Sequence, residues 1–406
     1  MNWLAFLLPA SALVVCLTSA QLQTSTQKLY SCDVTKYQGA LYKKDNLLGQ
    51  DRWRGANTLE ECGEQCLQQP GCKAFNFVAK KSICALLGSG LASANADKSL
   101  YDRYPDSVHA TITCNRKPSG PVGCGTQDSN YKPSLNKFQR IIGGTEAKPH
   151  SWPWLVSMSI NFGNGFGGGC GGSLIRVKDG VEQSDIVLTA AHCVTEEKSM
   201  ATNPIVFSPK QVTIVAGNHR KDKYDDGEET REAAEIRFHS GFKFTPTSGA
   251  VNDIALVKLA SPIAFTDTIR PICTVPANEP LPVGKTCVAA GWGRINSKND
   301  DTPFSLQQLL APAYDAKTCQ KGWGATYKEN IMICAGSLTG TSGTCQGDSG
   351  GMLACQQTDG SWSLYGATSF GVSGTCLEAG LPGIFARVSG FADWIAKNVK
   401  EMTSVK

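Results

Sequence analysis

Seventeen cysteines among 406 residues are the feature that most constrains how this chain can fold. One of them, Cys16, lies in residues 1–20, an apolar segment that ends in small residues and is predicted to be a signal peptide. Its removal leaves sixteen of the seventeen cysteines, an even number that suits a fully paired set of disulfides in an oxidising compartment. The cysteines therefore predict a secreted, extracellular protein built from crosslinked domains.

The charge of the chain argues against nucleic acid as a partner. Its 39 basic and 35 acidic residues nearly balance, giving a net charge of +4, and no dense basic run occurs. No segment after residue 20 is long and apolar enough to cross a bilayer, so no membrane span is expected.

The first block of cysteines, in residues 29–116, indicates a small separate domain. It holds Cys32, Cys62, Cys66, Cys72, Cys84 and Cys114. A helix is predicted from the capping box of Thr58 and Glu61 to Pro70–Gly71, and a strand, AFNFV, follows it. The spacing of six cysteines does not choose among their possible pairings. A zinc site at Cys62, Cys66 and Cys72 is disfavoured, because no histidine is near.

This block resembles the PAN/apple family, in which a helix with two cysteines is followed by a third cysteine, an aromatic strand and a fourth. The resemblance implies a disulfide-rich α+β domain over residues 29–116, with the pairs Cys32–Cys114, Cys62–Cys84 and Cys66–Cys72. Such modules bind proteins or carbohydrates, so an unidentified ligand of one of these kinds is an expected partner.

The rest of the chain is predicted to be a linker followed by an all-β domain. Residues 117–140 are rich in Pro, Gly, Ser and Asn, as an exposed linker would be. From residue 141 to 406, short apolar runs alternate with turns rich in Gly and Pro. The last run, FADWIAKNVKEM, has helical spacing. Two packed β-barrels with one C-terminal helix account for this pattern.

Three short strings in this second block point to a catalytic triad. His192 lies in LTAAHC, Asp253 in VNDIAL and Ser349 in CQGDSGG. Amide hydrolysis needs a nucleophile stronger than a free hydroxyl. An imidazole provides it by taking the serine proton, and a buried carboxylate holds that imidazole in the right tautomer.

With the activation sequence RIIGG at 140–144 and GWG at 291–293, these strings make residues 141–406 resemble the chymotrypsin-like serine proteases. The chain order His, Asp, Ser is that of this family. The resemblance implies two packed six-stranded antiparallel barrels with a C-terminal helix. The disulfides that it implies are Cys124–Cys273, Cys170–Cys193, Cys287–Cys355, Cys319–Cys334 and Cys345–Cys376.

The resemblance also implies a zymogen. A trypsin-like protease would cut after Arg140, and the new amino terminus of Ile141 would pair with Asp348 and shape the active site. The N–H groups of Gly347 and Ser349 would then form the oxyanion hole. If Cys124–Cys273 forms, the N-terminal domain stays attached after this cut; a second cut between Cys114 and Cys124 would free it.

The specificity pocket implied by the resemblance is open and apolar. Gly343 stands at its floor, where trypsin-like enzymes carry Asp, and Gly371 and Gly383 stand at its walls. An Arg or Lys side chain would enter unpaired at high cost, so Phe, Tyr, Leu or Met is expected before the scissile bond. Thr344 or the shape of the loops would narrow the pocket in the alternative, elastase-like interpretation. Ser369, grouped with the pocket, would support the Asp253 carboxylate.

Three positions depart from the family pattern. Met352 replaces a Pro and Phe370 replaces a Trp, both at positions expected near the substrate groove, and Gly169 stands where an aromatic residue often precedes Cys170. These departures affect the expected fine specificity and not the catalytic groups.

We expect no cofactor and no metal. The acidic segment at 225–230 is a candidate calcium loop, but Asn218 replaces the Glu of calcium-binding relatives, which favours a solvated loop over a calcium site. The G-x-G-x-x-G match at 163–168 lies between two predicted strands, so it predicts a hairpin and not a dinucleotide site.

The sequence thus predicts a secreted serine endopeptidase that acts on proteins or peptides. Two other classes remain as alternatives: a non-catalytic binding protein on a protease fold, and a ligand-binding protein whose PAN/apple-like domain carries the main role while proteolysis is regulatory.

Overall fold

The structure, a computed structural model, describes residues 14–16, 30–38, 54–55, 62, 74–78, 83–87, 107–116, 122–133, 144–163, 166–196, 203–225, 227–245, 249–295 and 301–404. The chain divides into two compact units, Met1–Lys117 and Pro118–Lys406. Neither α-helix within these ranges is long and apolar enough to cross a membrane.

The first unit contains one six-stranded antiparallel sheet in the order β1-β2-β6-β4-β5-β3. Its strands are β1 Val14–Cys16, β2 Tyr30–Gln38, β3 Arg54–Gly55, β4 Ala74–Val78, β5 Ile83–Leu87 and β6 Ser107–Arg116. The predicted strand AFNFV is β4. Strand β1 lies inside the segment predicted to be a signal peptide.

The predicted disulfides of this unit fall almost wholly outside the described residues. The register of β2 and β6 places Cys32 directly opposite Cys114. Cys62 is fully buried and disulfide-bonded. The rest of the predicted helix, and the bridges Cys62–Cys84 and Cys66–Cys72, are not described. The predicted α+β character of this domain therefore stays a prediction.

The second unit is mostly β-structure. Its strands are β7 Thr145–Glu146, β8 Leu155–Gly163, β9 Phe166–Leu174, β10 Gln183–Thr189, β11 Val212–Ala216, β12 Glu229–Phe238, β13 Lys243–Thr245, β14 Gly249–Val251, β15 Ala255–Ala264, β16 Cys273–Thr274, β17 Cys287–Gly291, β18 Gln307–Leu310, β19 Met332–Ala335, β20 Met352–Gln356, β21 Trp362–Phe370 and β22 Gly383–Arg387. Its α-helices are α1 Ala316–Trp323 and α2 Ala392–Thr403.

Six of these strands close into a barrel in the order β10-β15-β12-β11-β8-β9. Alternation explains the buried face: in β11, Val212, Ile214 and Ala216 are fully buried while the two residues between them are partly exposed. The predicted hairpin at 163–168 joins β8 to β9, which pair antiparallel. A strand therefore follows the glycines, where a dinucleotide site would need a helix.

The prediction of a second six-stranded antiparallel barrel is not confirmed. The structure has an eight-stranded sheet in the order β19-β22-β21-β20-β17-β18-β7, with β16 pairing parallel to β21. The sheet does not close into a barrel. The segment after β18 pairs with β19 only through a single bridge between Ala313 and Ala335. The core of this sheet is formed around Trp152, Trp362 and Tyr365.

The predicted C-terminal helix is α2. Ile395 and Met402 are buried along one of its faces, and Trp394 and Val399 pack against the core of the sheet. Burial of this apolar stripe, and not helix propensity alone, stabilises a helix of this length.

Residues 122–133, which precede the predicted cleavage point, belong to the second unit and pack against its barrel and sheet. Val122 is buried in the barrel core, and Asp128 is buried where its carboxylate lies 3.3 Å from the Arg270 guanidinium. The Trp362 indole N–H donates to the Gln127 amide oxygen at 3.1 Å. The described disulfides of this unit are the five that the resemblance implies: Cys124–Cys273, Cys170–Cys193, Cys287–Cys355, Cys319–Cys334 and Cys345–Cys376.

Candidate active site

His192 and Asp253 meet at one end of the barrel, because β10 and β15 pair antiparallel with Thr189 opposite Ala255. His192 lies in a short 3₁₀ turn, Ala191–Cys193, just after β10. Asp253 lies between β14 and β15, after Asn252, whose φ of 52° is one that Asn tolerates better than most residues. The His192 Nδ1 atom lies 2.8 Å from Asp253 Oδ2, and the His192 backbone N–H donates to Oδ1 at 2.9 Å.

Three donors hold the Asp253 carboxylate, which is almost fully buried. Besides the two from His192, the Ser369 hydroxyl donates to Oδ2 at 2.6 Å, at the position expected from the sequence. Because a carboxylate only accepts hydrogen bonds, Nδ1 carries the proton and Nε2 faces outward as the acceptor. This is the tautomer that a general base needs.

The pKa values of the pair shift apart in the expected directions. Burial raises the pKa of Asp253, but the charge and hydrogen bonds of His192 and the Ser369 bond outweigh it and hold that pKa below its usual range. Burial lowers the pKa of His192, but the charge and hydrogen bond of Asp253 outweigh it and hold the pKa above its usual value. The carboxylate is therefore charged at neutral pH and stabilises the imidazolium.

Activity should fall as the solution becomes acidic, because protonated His192 cannot accept the Ser349 proton. Since Asp253 raises the pKa of His192, we expect the fall to begin above the ordinary histidine value of about 6.5. The measurement is the pH profile of kcat/KM on a neutral peptide. A profile that stays flat down to pH 5 would contradict a histidine base.

Ser349 lies in the turn between Cys345 and Gly351, and its backbone is tied to the barrel. The Gly171 N–H donates to the Ser349 carbonyl at 2.7 Å, and the Thr189 hydroxyl donates to the Gly171 carbonyl at 2.8 Å. Among the described residues, no hydrogen bond joins Ser349 Oγ to His192 Nε2. Such contacts are often long until substrate is bound.

The predicted oxyanion hole uses the backbone N–H groups of Gly347 and Ser349, and this assignment stays a prediction. Gly347 has a φ of 97°, a conformation that only glycine adopts readily, and a Cβ there would approach Gly293 Cα to 3.0 Å. Within the part of the chain that the structure describes, neither N–H donates to another group. Both donors are thus left for an oxyanion.

Asp348 explains the GWG motif at 291–293. A Cβ at Gly291 would lie 2.2 Å from its carboxylate, and one at Gly293 would lie 2.5 Å from it. The N–H groups of Gly293 and Cys345 donate to this carboxylate at 2.8 and 2.9 Å. Only glycines let the motif close around Asp348. Burial raises the pKa of Asp348 to about 6 despite these hydrogen bonds and the nearby charge of Lys221.

The other residues of the predicted activation switch, Arg140 and Ile141, lie outside the described residues. The pairing between the Ile141 ammonium and Asp348 therefore stays a prediction. What the structure adds is a buried carboxylate, 1% exposed, that neighbouring N–H groups only partly stabilise.

The three predicted pocket glycines differ in how much room surrounds them for a side chain. A Cβ at Gly343 would lie 2.7 Å from the end of the Leu377 side chain, so Leu377 contacts the predicted pocket floor. A Cβ at Gly371 would lie 3.4 Å from the Cys376 carbonyl, and one at Gly383 would lie 3.5 Å from Thr344 Oγ1. Both wall positions have room for a side chain. The sequence did not predict a role for Leu377, because it lies in none of the recognised motifs.

Of the departures from the family pattern, Met352 does not line a groove, contrary to our expectation. It is fully buried, and the Trp154 indole N–H donates to its sulfur at 3.0 Å. Phe370 is half-buried and contacts Trp323 edge-on, with ring centroids 5.4 Å apart. Its ring also covers Gly249, where a Cβ would approach it to 2.7 Å.

Two groups in the described part of the chain have donor types that could hold a metal. In the acidic segment, Asp225 accepts the N–H groups of His219 and Arg220 at 2.5 and 2.7 Å, which makes it part of a turn. Cys170, His192 and Cys193 lie close together, but the two cysteines are bonded to each other and are not thiolate ligands.

The sequence comparison defines the class to which this arrangement belongs. Residues 141–395, more than half of the chain, match the family model described as Trypsin, so the chain belongs to the trypsin family. Residues 32–114 match the PAN domain. A trypsin-family domain supports a serine peptidase that acts on proteins, and a PAN domain implies ligand binding.

Proposed function

We propose that this protein is a secreted serine endopeptidase, made as a zymogen, with His192, Asp253 and Ser349 as its triad. The observation that supports it most is the buried carboxylate of Asp253, which accepts hydrogen bonds from His192 and Ser369 in a trypsin-family domain. Ser349 attacks the carbonyl carbon, and His192 takes its proton and then gives it to the leaving amine. Gly347 and Ser349 hold the oxyanion.

Labelling tests this proposal directly. A fluorophosphonate probe should label Ser349 after treatment of the full chain with immobilised trypsin, and the labelled material should begin with the sequence IIGGT. Labelling should be much weaker before treatment. An unlabelled but cleaved chain would instead favour the alternative of a binding protein on a protease fold.

We infer a preference for Phe, Tyr, Leu or Met before the scissile bond. The buried Gly343 and the neighbouring Leu377 offer no charge to an Arg or Lys side chain, which would lose its hydration without gaining a partner. The elastase-like alternative requires a narrower slot. Faster cleavage after Ala or Val than after Phe would favour that alternative.

The wall glycines give a way to check the pocket. We expect Gly383→Val to fold normally, because its Cβ has ordinary contact distances, but to lower kcat/KM for Phe substrates relative to Ala substrates. Losing the burial of an aromatic ring is worth about 2 kcal/mol, or roughly 30-fold in this ratio. Thr358→Val, in the exposed turn between β20 and β21, is a control for expression and handling, because Thr358 has no positive φ and the substitution keeps the side-chain shape. An unchanged ratio would mean that Gly383 does not line the pocket.

We also infer that cleavage after Arg140 leaves the PAN domain attached. Two interactions cross the cleavage point. Cys124 and Asp128 precede Arg140 in the chain, and their partners, Cys273 and Arg270, lie in the catalytic domain. A ligand of the PAN domain would then raise the local concentration of the protease.

Electrophoresis of the activated protein checks this attachment. We expect one band without reductant and two bands with it. Two bands without reductant, one of them the size of residues 21–116, would show that the linker is cut a second time and that the domains separate.

A further inference from the structure

Asn252, the residue before the predicted triad carboxylate, has a backbone conformation that few residues adopt. Its φ of 52° lies in the left-handed region, which asparagine tolerates but which costs most side chains free energy. Residues in such conformations persist only where neighbouring groups fix them, and they are often found at functional sites. The contacts of the Asn252 side chain show what fixes it here.

The Asn252 side chain is hydrogen-bonded to a neighbouring loop. Its amide Nδ2 group donates to the Gly241 carbonyl at 2.9 Å. A Cβ at Gly241 would lie 2.9 Å from Nδ2, closer than side-chain carbons approach other atoms. Gly241 has no positive φ, so its backbone conformation does not require glycine. The close approach of the Asn252 amide is therefore the reason for glycine at this position.

The loop that accepts this hydrogen bond is itself held in place. The Gly241 N–H donates to Nδ1 of His239 at 3.1 Å, and the Phe242 N–H donates to the His239 carbonyl at 2.8 Å. The His239 ring packs against the rings of Phe391 and Trp394 around the start of α2, with centroids 5.4 and 5.7 Å away. The Gly241 carbonyl is thus a fixed acceptor for Asn252.

Backbone hydrogen bonds close the turn that contains Asp253. The Ile254 N–H donates to the Asn252 carbonyl at 2.9 Å, which makes a three-residue turn with Asp253 in its middle. The His239 N–H donates to the Ile254 carbonyl at 3.0 Å. The loop of His239 and Gly241 therefore holds this turn on both sides of Asp253, through the Ile254 backbone on one side and the Asn252 side chain on the other.

The direction of the Asp253 carboxylate depends on the shape of this turn. Residues 252–254 join β14 to β15, and the barrel fixes the start of β15, where Ala255 pairs with Thr189. From the turn, the carboxylate must reach both the Nδ1 atom and the backbone N–H of His192, at 2.8 and 2.9 Å. A rotation of the backbone at Asn252 would move the carboxylate away from these two donors.

We propose that Asn252 is a positioning residue of the triad: its hydrogen bond to the Gly241 carbonyl holds the left-handed backbone that directs the Asp253 carboxylate toward His192. Asn252 acts through Asp253 and not on the substrate. The inference rests on the proposed endopeptidase function and adds a residue to the groups that serve the reaction.

Asn252→Gly removes the hydrogen bond and leaves the backbone conformation accessible, because glycine adopts positive φ readily. The substrate is a neutral peptide with Phe before the scissile bond, and the enzyme is the full chain activated with immobilised trypsin. We expect kcat to fall roughly 10- to 100-fold and KM to stay within about twofold, since a misplaced catalytic group weakens the transition state most. The acidic limb of the kcat/KM profile should move to lower pH, because a displaced carboxylate stabilises the imidazolium less.

Gly241→Ala tests the same hydrogen bond from its other partner and leaves residue 252 unchanged. The added Cβ would displace the Asn252 amide, so we expect the same loss of kcat and the same movement of the acidic limb. Asn278→Gly is the matched control, because Asn278 also has a positive φ, of 64°, and lies in an exposed turn between β16 and β17. This control should keep the wild-type kcat and pH profile.

The pH profile separates positioning from a loss of folded protein, which lowers the rate at every pH and does not move the acidic limb. Wild-type values in Asn252→Gly and Gly241→Ala, or a lower kcat with an unmoved limb, would overturn the proposal. If one of these two variants does not fold, the other decides. Failure of both to fold would assign the hydrogen bond to stability and would also overturn the proposal. Absence of peptide hydrolysis by the activated wild-type protein would instead overturn the proposed protease function.

Discussion

Replacing Ser349 with alanine is expected to lower kcat/KM by about a millionfold, because the triad acts as a unit and no other described group replaces the nucleophile. The loss should appear in kcat and not in substrate binding, since the hydroxyl forms a covalent bond only during the reaction. Thermal stability should be unchanged, because among the described hydrogen bonds none uses the Ser349 hydroxyl. Hydrolysis of a nitroanilide with Phe before the bond measures the effect.

Ser361→Ala provides the matched control. Ser361 is also half-buried and also lies in a turn, where its hydroxyl donates to Asp359 at 2.6 Å. It should keep wild-type activity. Residual hydrolysis by Ser349→Ala above about one hundredth of the wild-type rate, after removal of the activating trypsin, would contradict the assignment of the nucleophile.

Motifs with fixed spacing made the chemistry of the site predictable. Each of His192, Asp253 and Ser349 is surrounded by several family residues, and their order in the chain identifies the arrangement. The structure then supplied a reason for one motif: the glycines of GWG leave room for the Asp348 carboxylate. The sequence therefore shows the glycines as part of a motif, but only the structure shows that a neighbouring side chain excludes any larger residue there.

Contacts between distant segments were not predictable. Leu377 covers Gly343, and the Phe162 ring stacks on Phe207, because the folded chain brings together segments that show no pairing signal in sequence. Met352 illustrates the same limit, since a position expected near the groove turned out to be packed under Trp154. The second sheet did not close as a six-stranded ladder, because the segment that follows β18 meets β19 only through the bridge between Ala313 and Ala335.

Replacing Asp348 with asparagine is expected to lower the activity of the cleaved protein by about two to four orders of magnitude. In the proposed switch, the Ile141 ammonium is buried against this carboxylate, and removing one partner of a buried pair costs about 3–5 kcal/mol. The shape of the oxyanion turn, from Cys345 to Ser349, depends on that pairing. The measurement is kcat/KM of Asp348→Asn after cleavage at Arg140, confirmed by an amino-terminal sequence of IIGGT. Wild-type activity in this variant would contradict the switch.

The stability of the uncleaved protein gives an independent check, because there the Asp348 carboxylate should destabilise the fold and its replacement should relieve this effect. Burial raises the pKa of Asp348 to about 6, above the unfolded value of about 3.9. Between these values the folded chain holds a proton that the unfolded chain has released, so the free energy of unfolding falls as pH rises from 4 to 6. The loss reaches about 3 kcal/mol at neutral pH, and it should be absent from uncleaved Asp348→Asn. Asp179→Asn, at an exposed turn, should behave as the wild-type protein at every pH. Urea unfolding at pH 4 and pH 7 measures the difference between the variants. If the difference in free energy of unfolding between the wild-type protein and Asp348→Asn does not change with pH, Asp348 is not a buried, poorly compensated carboxylate in the uncleaved chain. The free energy that drives the switch after cleavage would then have to come from other groups.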